Sequence, residues 1–304
     1  MLVTGADGFV GSRLVPKLVE AGHRVVAAIM PRAVSPAGVP AVPLDLEQAD
    51  SISAAVSGGF DAVIHLAAMA SGAEARSHPA IAWRVNAVGT AMLAEALGSA
   101  AQPANTLLLL VSTAEVYGAG AQVPRREDDP LEPTSPYAAS KLGAEVAALE
   151  VHRRTGLRVV IARAFPHTGP GQQDRYFVPA MASRIRAARR SGAPMVRVGN
   201  LDVVREMMHV DDVADAYVRL LAGTAPSAIY NVACGDGVTL ATMYDLLCAA
   251  IGYRPEPEPH PSLMRAGDIP YMVGDGSRLR AATGWSPKHT LEETLREVVN
   301  AQAD

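Results

Sequence analysis

The chain has 304 residues, 49% of them apolar and 19% charged, with a formal net charge of −4, which is ordinary for a globular protein and offers no basic surface to a nucleic acid. Two cysteines, Cys234 and Cys248, are too few and too isolated for a disulfide scaffold or a metal site, so no metal is expected and a reduced, cytoplasmic setting is. No apolar run approaches the roughly 20 residues that span a bilayer, and the start has no basic segment before an apolar one, so neither a membrane partner nor a signal peptide is expected.

Leu2-Val3-Thr4 is a very short first strand that runs into Gly5-Ala6-Asp7-Gly8-Phe9-Val10-Gly11 and then a helix over 8–21. In that context small residues let the backbone approach a pyrophosphate, and the helix N-terminus supplies oriented N–H groups. The spacing is G-x-x-G-x-x-G, not the commoner G-x-G-x-x-G; the alternative is a tight turn with no ligand. Pro16 falls inside the helix, where proline costs about 3 kcal/mol and bends the axis.

Short β-branched or leucine-rich runs over 24–29, 61–66, 106–112 and 158–162 predict buried parallel strands. Amphipathic stretches over 47–57, 81–100 and 136–155 predict the helices between them, and 30–43, rich in Pro, Ala and Gly, reads as a loop. The alternation implies an α/β fold with a doubly wound parallel sheet, its dinucleotide-binding domain spanning 1–164. After Ala164, Pro166-His167-Thr168-Gly169-Pro170-Gly171 is loop chemistry. Shorter elements follow, which predicts a smaller substrate-binding lobe over 165–304 whose chain crosses back.

The residue that reads the adenosine ribose belongs at the end of the second strand. Ala28-Ile29-Met30-Pro31-Arg32 has no acid there, so Arg32 either meets the 2′-phosphate of NADP or is a solvated arginine. NADP is favoured over NAD on that ground. Asp45 either accepts from the adenine amino group or caps the helix that follows.

Tyr137 and Lys141 lie four residues apart, hence on one helix face. A free tyrosine has a pKa of about 10. An ammonium about 4 Å away at an effective dielectric near 20 supplies roughly 4 kcal/mol, so Lys141 is expected to bring Tyr137 toward the working pH. Thr113 would hydrogen-bond the same substrate oxygen while hydride moves between the substrate carbon and a nicotinamide. Y-x-x-x-K alone is a common exposed pair. Ser135-Pro136 before it and Thr113 at a strand end place it where βα-loops meet a cofactor.

Together these motifs resemble the extended short-chain dehydrogenases/reductases that act on nucleotide sugars. The likeness runs through His65-Leu66-Ala67-Ala68, Asn86 with Gly89-Thr90, Ser112-Thr113 to Tyr117-Gly118, Arg205-Glu206 to Val210-Asp211-Asp212-Val213, Tyr230-Asn231-Val232 and Gly284-Trp285-Ser286-Pro287. Within that family it is to GDP-6-deoxy-D-mannose reductases, carried by His167 to Gln172, Val198-Gly199-Asn200-Leu201 and Arg265-Ala266-Gly267-Asp268-Ile269-Pro270; these are similar to GDP-mannose 4,6-dehydratases.

The resemblance implies Thr113, Tyr137 and Lys141 as catalytic residues. Glu115 matches an elimination base of related dehydratases, and reductases also carry an acid there. It implies cofactor contacts from Gly5, Asp7, Gly8, Phe9, Val10 and Gly11, from Arg32, Asp45 and Leu46, and from Leu66, Ala67, Ala68 and Asn86, besides Tyr137 and Lys141. It implies that a nucleotide-diphosphate sugar meets His167, Gln172, Val178, Asn200, Arg205 and Arg265. Structural alternatives stand beside these: salt bridges for the arginines and a turn for Asn200; His167 and His209 are either catalytic or structural histidines in a loop and beside a strand. A homodimer through helices near 81–100 and 136–155 is also implied. Two positions depart from the family: Pro166 stands where an Asn contacts the substrate, and Glu206 where an Asp follows the arginine. The implied activity is reduction of a 4-keto-6-deoxyhexose on a nucleotide. The alternatives are a 4-epimerase or 4,6-dehydratase with tightly held NAD(P), and a non-catalytic nicotinamide sensor.

Overall fold

The computed structural model describes residues 1–31, 33–222, 228–264 and 267–302. The first half lays down six strands, β1 (Leu2–Thr4), β2 (Val26–Ile29), β3 (Ala41–Pro43), β4 (Ala62–His65), β5 (Leu107–Thr113) and β6 (Arg158–Ala164). Between them run α1 (Gly11–Glu20), α2 (Ala49–Val56), α3 (Gly72–Ser77), α4 (Pro79–Ala82), α5 (Gly89–Gly98) and α6 (Pro136–Thr155). The chain then builds β7 (His167–Thr168), α7 (Phe177–Ser191), β8 (Met195–Val198), β9 (Val204–Arg205), β10 (Met208–His209) and α8 (Val210–Leu221). It returns to the sheet as β11 (Ile229–Val232) and continues through β12 (Val238–Thr239), α9 (Leu240–Ile251), β13 (Glu256–Pro259), β14 (Tyr271–Met272), α10 (Ser277–Thr283) and α11 (Leu291–Ala301).

The main sheet is parallel, in the order β11-β6-β5-β4-β1-β2-β3. Strand order reverses beside β1, and such a switch point leaves a crevice at the carboxyl ends of the strands. Both faces are covered. In β5, Leu107 and Leu109 join a core with Val3, Ile64 and Val160, while Leu108 and Leu110 join another with Leu2, Val63 and Ile161. A third core, with Ile185, Leu247 and Val298, binds α7, α9 and α11 together. Chain past residue 165 also contributes to the main sheet layer: α8 packs on α1, and β11 pairs with β6.

Two elements differ from the sequence reading. The 30–43 stretch is not all loop, because Ala41–Pro43 pairs with Ala27–Ile29 as the edge strand, a place where proline is tolerated. The helix expected over 81–100 is broken into α4 and α5 by Trp83–Val88, wound as a π-helix. Pro16 does not end α1, which continues to Glu20. Helix α6 has the predicted bounds. Ser135 Oγ accepts from the Ala138 N–H, Pro136 occupies the first turn, and left-handed Gly156 closes the end. Among the described residues no helix is long and apolar enough to cross a membrane.

His65 locks β4 to β1 and α5. Its ring is buried, with Nδ1 2.7 Å from Thr4 Oγ1 and Nε2 3.0 Å from Thr90 Oγ1. Thr90 gives its own proton to the Asn86 carbonyl, so Nε2 donates, and Nδ1 is left to accept from Thr4. Burial, helped by the Lys141 charge, lowers the His65 pKa to about 3. The folded pKa lies below the unfolded one, so this contribution to stability is complete above about pH 6.5 and drains away as pH falls toward 3. Denaturant unfolding between pH 7 and 4 should show His65→Gln losing less stability on acidification than the parent, by up to about 1.4 kcal/mol per pH unit. Parallel curves would show that His65 does not set the acid limb.

Candidate active site

Gly5 leaves β1 at φ +64°, and a Cβ there would lie 2.8 Å from the Ala67 nitrogen, so only glycine lets the turn rest on the end of β4. At Gly11 a Cβ would come within 2.5 Å of the Gly5 and Ala6 carbonyls. Asp7 and Gly8 between them are exposed, and the Gly8 N–H closes the turn on the Gly5 carbonyl at 3.0 Å. The N–H groups of Phe9 and Val10 find no acceptor among the described residues, and α1 has no side-chain N-cap. Free donors and the positive end of the helix dipole therefore face outward, which fits a dinucleotide pyrophosphate. The loop's far wall is the end of β4, where the Leu66 and Ala67 amides are held by Thr4 at 3.2 and 3.1 Å.

Thr113 ends β5, and its Oγ1 caps the turn Ala114–Tyr117 by accepting from the Glu115 N–H at 3.2 Å. The half-buried Tyr137, in the first turn of α6, hydrogen-bonds Thr113. Lys141, one turn on, is buried, under the electrostatic influence of Glu145 and influencing His65 in turn. Glu115 also faces Tyr137 and accepts from Ser135 Oγ at 3.4 Å. Tyr137 and Thr113, expected from sequence to meet at one substrate oxygen, are thus in contact with each other.

The expected electrostatics are not what the fold provides. Burial first, then the Glu115 carboxylate, holds the Tyr137 phenol above its ordinary range, with only the Thr113 hydrogen bond acting downward. Lys141 is not among the groups that set it. Burial instead lowers Lys141 itself to about 8, against the pull of Glu145. In the protein alone, Tyr137 is a phenol that keeps its proton.

Several expected contacts turn inward. Asn86, in the π-helical turn, spends both amide hydrogens on the Met69 carbonyl and Ser140 Oγ, and its oxygen accepts from the Met69 N–H. Asp45 Oδ1 accepts from the Glu47 N–H at 2.9 Å, the capping alternative. The Leu46 and Val178 side chains are sealed in cores. Gln172 braces its own loop through Thr168 and the His167 carbonyl, and Asn200 makes a turn with the Asp202 N–H. Ala68 immediately follows the Leu66–Ala67 wall. Arg205 lies 3.2 Å from Asp268. Arg32 and Arg265 lie outside the described residues.

His167 is aimed at the cofactor loop: its ring stacks on Phe9, with centroids 6.3 Å apart, while Nδ1 is 2.9 Å from the Phe165 carbonyl. Burial lowers its pKa, so it is neutral. Glu206 is fully buried and accepts from the backbone N–H groups of Cys234, Gly235 and Gly274. Burial raises its pKa to about 7 despite those donors. Tyr176 was missed by sequence reasoning; it precedes α7, and its electrostatic influence reaches Tyr137 across the cleft. No motif marks it, because only tertiary folding brings it there.

A doubly wound sheet with a glycine turn, and a Thr–Tyr–Lys set at its carboxyl edge, defines a nicotinamide-dinucleotide enzyme of the Rossmann class. Residues 1–233 match the NAD dependent epimerase/dehydratase family, and the chain belongs to it. It is 36% identical to a GDP-6-deoxy-D-mannose reductase of Pseudomonas aeruginosa over 99% of this chain and 96% of that one. The structure of RMD from the same organism complexed with NADPH is similar with a TM-score of 0.84 and 33% identity, covering 99% of this chain and 97% of that one. The UDP-glucose 4-epimerase of Thermus thermophilus in complex with NAD gives 0.87 at 31% identity, with the same coverage of both chains.

The buried ammonium has a measurable cost. Because the folded pKa of Lys141 lies below its unfolded value, the penalty is full below about pH 8 and fades as pH rises toward 10.5. Lys141→Met should therefore unfold at higher denaturant than the parent at pH 7, by up to about 3 kcal/mol, with the gap closing above pH 8. A variant less stable than the parent at pH 7 would contradict this reading.

Proposed function

We propose that the protein is a 4-ketoreductase that reduces the 4-keto group of a nucleotide-linked 4-keto-6-deoxyhexose, of the GDP-4-keto-6-deoxymannose type, with NADPH. The observation that carries this is the Tyr137–Thr113 contact at the sheet edge, in a chain matched over nearly its whole length by a GDP-6-deoxy-D-mannose reductase. The absence of an acid after β2 favours NADPH over NADH. The sheet through residue 164 would hold the cofactor, completed by α8 and β11, and the lobe beyond would hold the sugar nucleotide.

When bound, the reduced nicotinamide supplies hydride to C4. Thr113 and Tyr137 would converge on O4, and Tyr137 would hydrogen-bond it in the ground state. As negative charge grows on that oxygen, Tyr137 would pass its proton across. Its raised pKa suits a donor that must hold the proton until the alkoxide forms. Lys141 would keep a positive charge beneath the site at neutral pH. His167, neutral and braced on Phe9, would line the sugar side.

Mixing protein, NADPH and GDP-4-keto-6-deoxymannose should give a stoichiometric fall in nicotinamide absorbance. Tyr137→Phe should reduce turnover at least about 1000-fold while binding NADPH normally. Cofactor binding without an absorbance change would reject this substrate. A 4-epimerase is the second reading, supported by the epimerase superposition, and its sign would be cofactor carried through purification with no net redox.

We also propose a homodimer through α5 and α6. Ala91, Met92, Ala96, Gly143, Val146 and Ala147 line one shallow groove there, and Val146 is 61% exposed. Sedimentation should show a dimer for the parent and a monomer for Val146→Glu; equal masses would exclude this face.

A further inference from the structure

Far along the chain from Thr113, Tyr137 and Lys141, three donors meet where α11 packs against β10, just before α8. His209 caps α8, His289 precedes α11, and Glu297 lies within α11. One donor atom from each falls within 4.8 Å of the other two. His209 Nε2 is 3.2 Å from Glu297 Oε2, close to the separation of two ligands on a tetrahedral ion. The imidazoles lie face to face, with centroids 4.2 Å apart.

The surroundings are those of ligands rather than of a simple ion pair. Asp212, fully buried, places Oδ1 3.0 Å from His289 Nδ1 and takes the His289 N–H on its other oxygen. That fixes the proton on Nδ1 and leaves Nε2 with its lone pair free. On His209, Nδ1 accepts from the Asp211 N–H at 3.1 Å, with Asp211 Oδ2 at 3.7 Å. Three carboxylates thus surround two imidazoles, while Lys17 and Lys288 are both engaged by Asp215.

We propose that His209, His289 and Glu297 form a binding site for a divalent transition ion of the zinc class, with water completing the shell. Two imidazole nitrogens and one carboxylate suit zinc and its neighbours rather than magnesium or calcium. Binding exchanges the His209–Glu297 hydrogen bond for two metal bonds and shifts the His209 proton from Nε2 to Nδ1, which stops accepting the Asp211 N–H and faces the Asp211 carboxylate instead. His209 is held by β10, which pairs with β7, and a Cβ at Gly169 would lie 3.7 Å from Nε2. The ion would therefore staple the C-terminal helix behind the 167–172 loop, a structural clip away from the chemistry. It would also overturn the expectation of no metal, which considered cysteines and could not see residues 80 and more positions apart converge.

Zinc chloride titrated into the full chain, tag-free and freed of metal by chelation, should bind at one ion per chain by calorimetry and raise the melting temperature by several degrees. Magnesium should do neither. His289→Ala and Glu297→Gln both alter partly exposed side chains, and each should weaken zinc at least about tenfold and abolish the thermal shift. Absence of zinc binding by the parent, or binding unchanged in both variants, would overturn the proposal. Variants that lower the melting temperature equally with and without zinc, in a parent that takes up none, would show a hydrogen-bonded latch instead.

Discussion

The buried ion pair between Arg163 and Glu145 decides where α6 lies, and α6 carries the site. Tyr137, Lys141 and Glu145 follow one another at four-residue intervals on one helix face. Arg163 of β6 grips Glu145 at 2.8 Å, and Ser112 of β5 donates to the same carboxylate. Arg163 also donates to Tyr117 Oη and the Glu127 carbonyl, and Tyr117 donates to Asn231 of β11. Such pairs seldom add net stability over an apolar replacement. This one instead registers α6 against three strands at once, because its planar guanidinium satisfies each partner only in one position.

The electrostatics of the site follow from that placement. Arg163 already neutralises Glu145, so Lys141 receives only part of that carboxylate's attraction and stays near the edge of ionisation. Its residual charge falls on His65, which must then be neutral and is held so by two threonines. The carboxylate that acts on Tyr137 is Glu115, which also accepts from Ser135 at the start of α6. A site assembled this way keeps its phenol protonated and its ammonium strained, which is the polarity of a proton donor rather than of a resting base.

What was legible in the sequence was what local chemistry encodes. The α6 bounds follow from Ser135, Pro136 and Gly156, and the glycine turn from backbone crowding at Gly5 and Gly11. Tyr137 and Thr113 were findable because each sits at a strand or helix end that any doubly wound sheet gathers together. The π turn at Asn86 was not, since its amide answers to Met69 and Ser140, which are remote in sequence. Nor were the inward turns of Gln172 and Val178, whose side chains are decided by loop closure and core packing, whereas the turn at Asn200 was one of its two sequence readings. The Coulomb argument for Lys141 on Tyr137 failed for a physical reason: it sized one attraction of roughly 4 kcal/mol before subtracting desolvation, and burial is the largest influence on both partners.

Pro166 shows how the two halves of the molecule can vary separately. Its carbonyl accepts from the Met208 N–H, and the flanking Phe165 N–H bonds to Val232, so the strand geometry there does not depend on a donor at 166. A change of side chain at that point can therefore be made without disturbing β7 or β10. The loop that follows is braced on the cofactor side, through Arg13 to the Pro170 carbonyl at 2.8 Å and through His167 on Phe9. Its position is therefore inherited from the glycine turn, while its chemistry is free to change. Side chains of this loop can then change residue by residue on a frame that the glycine turn and the Arg163 network hold still.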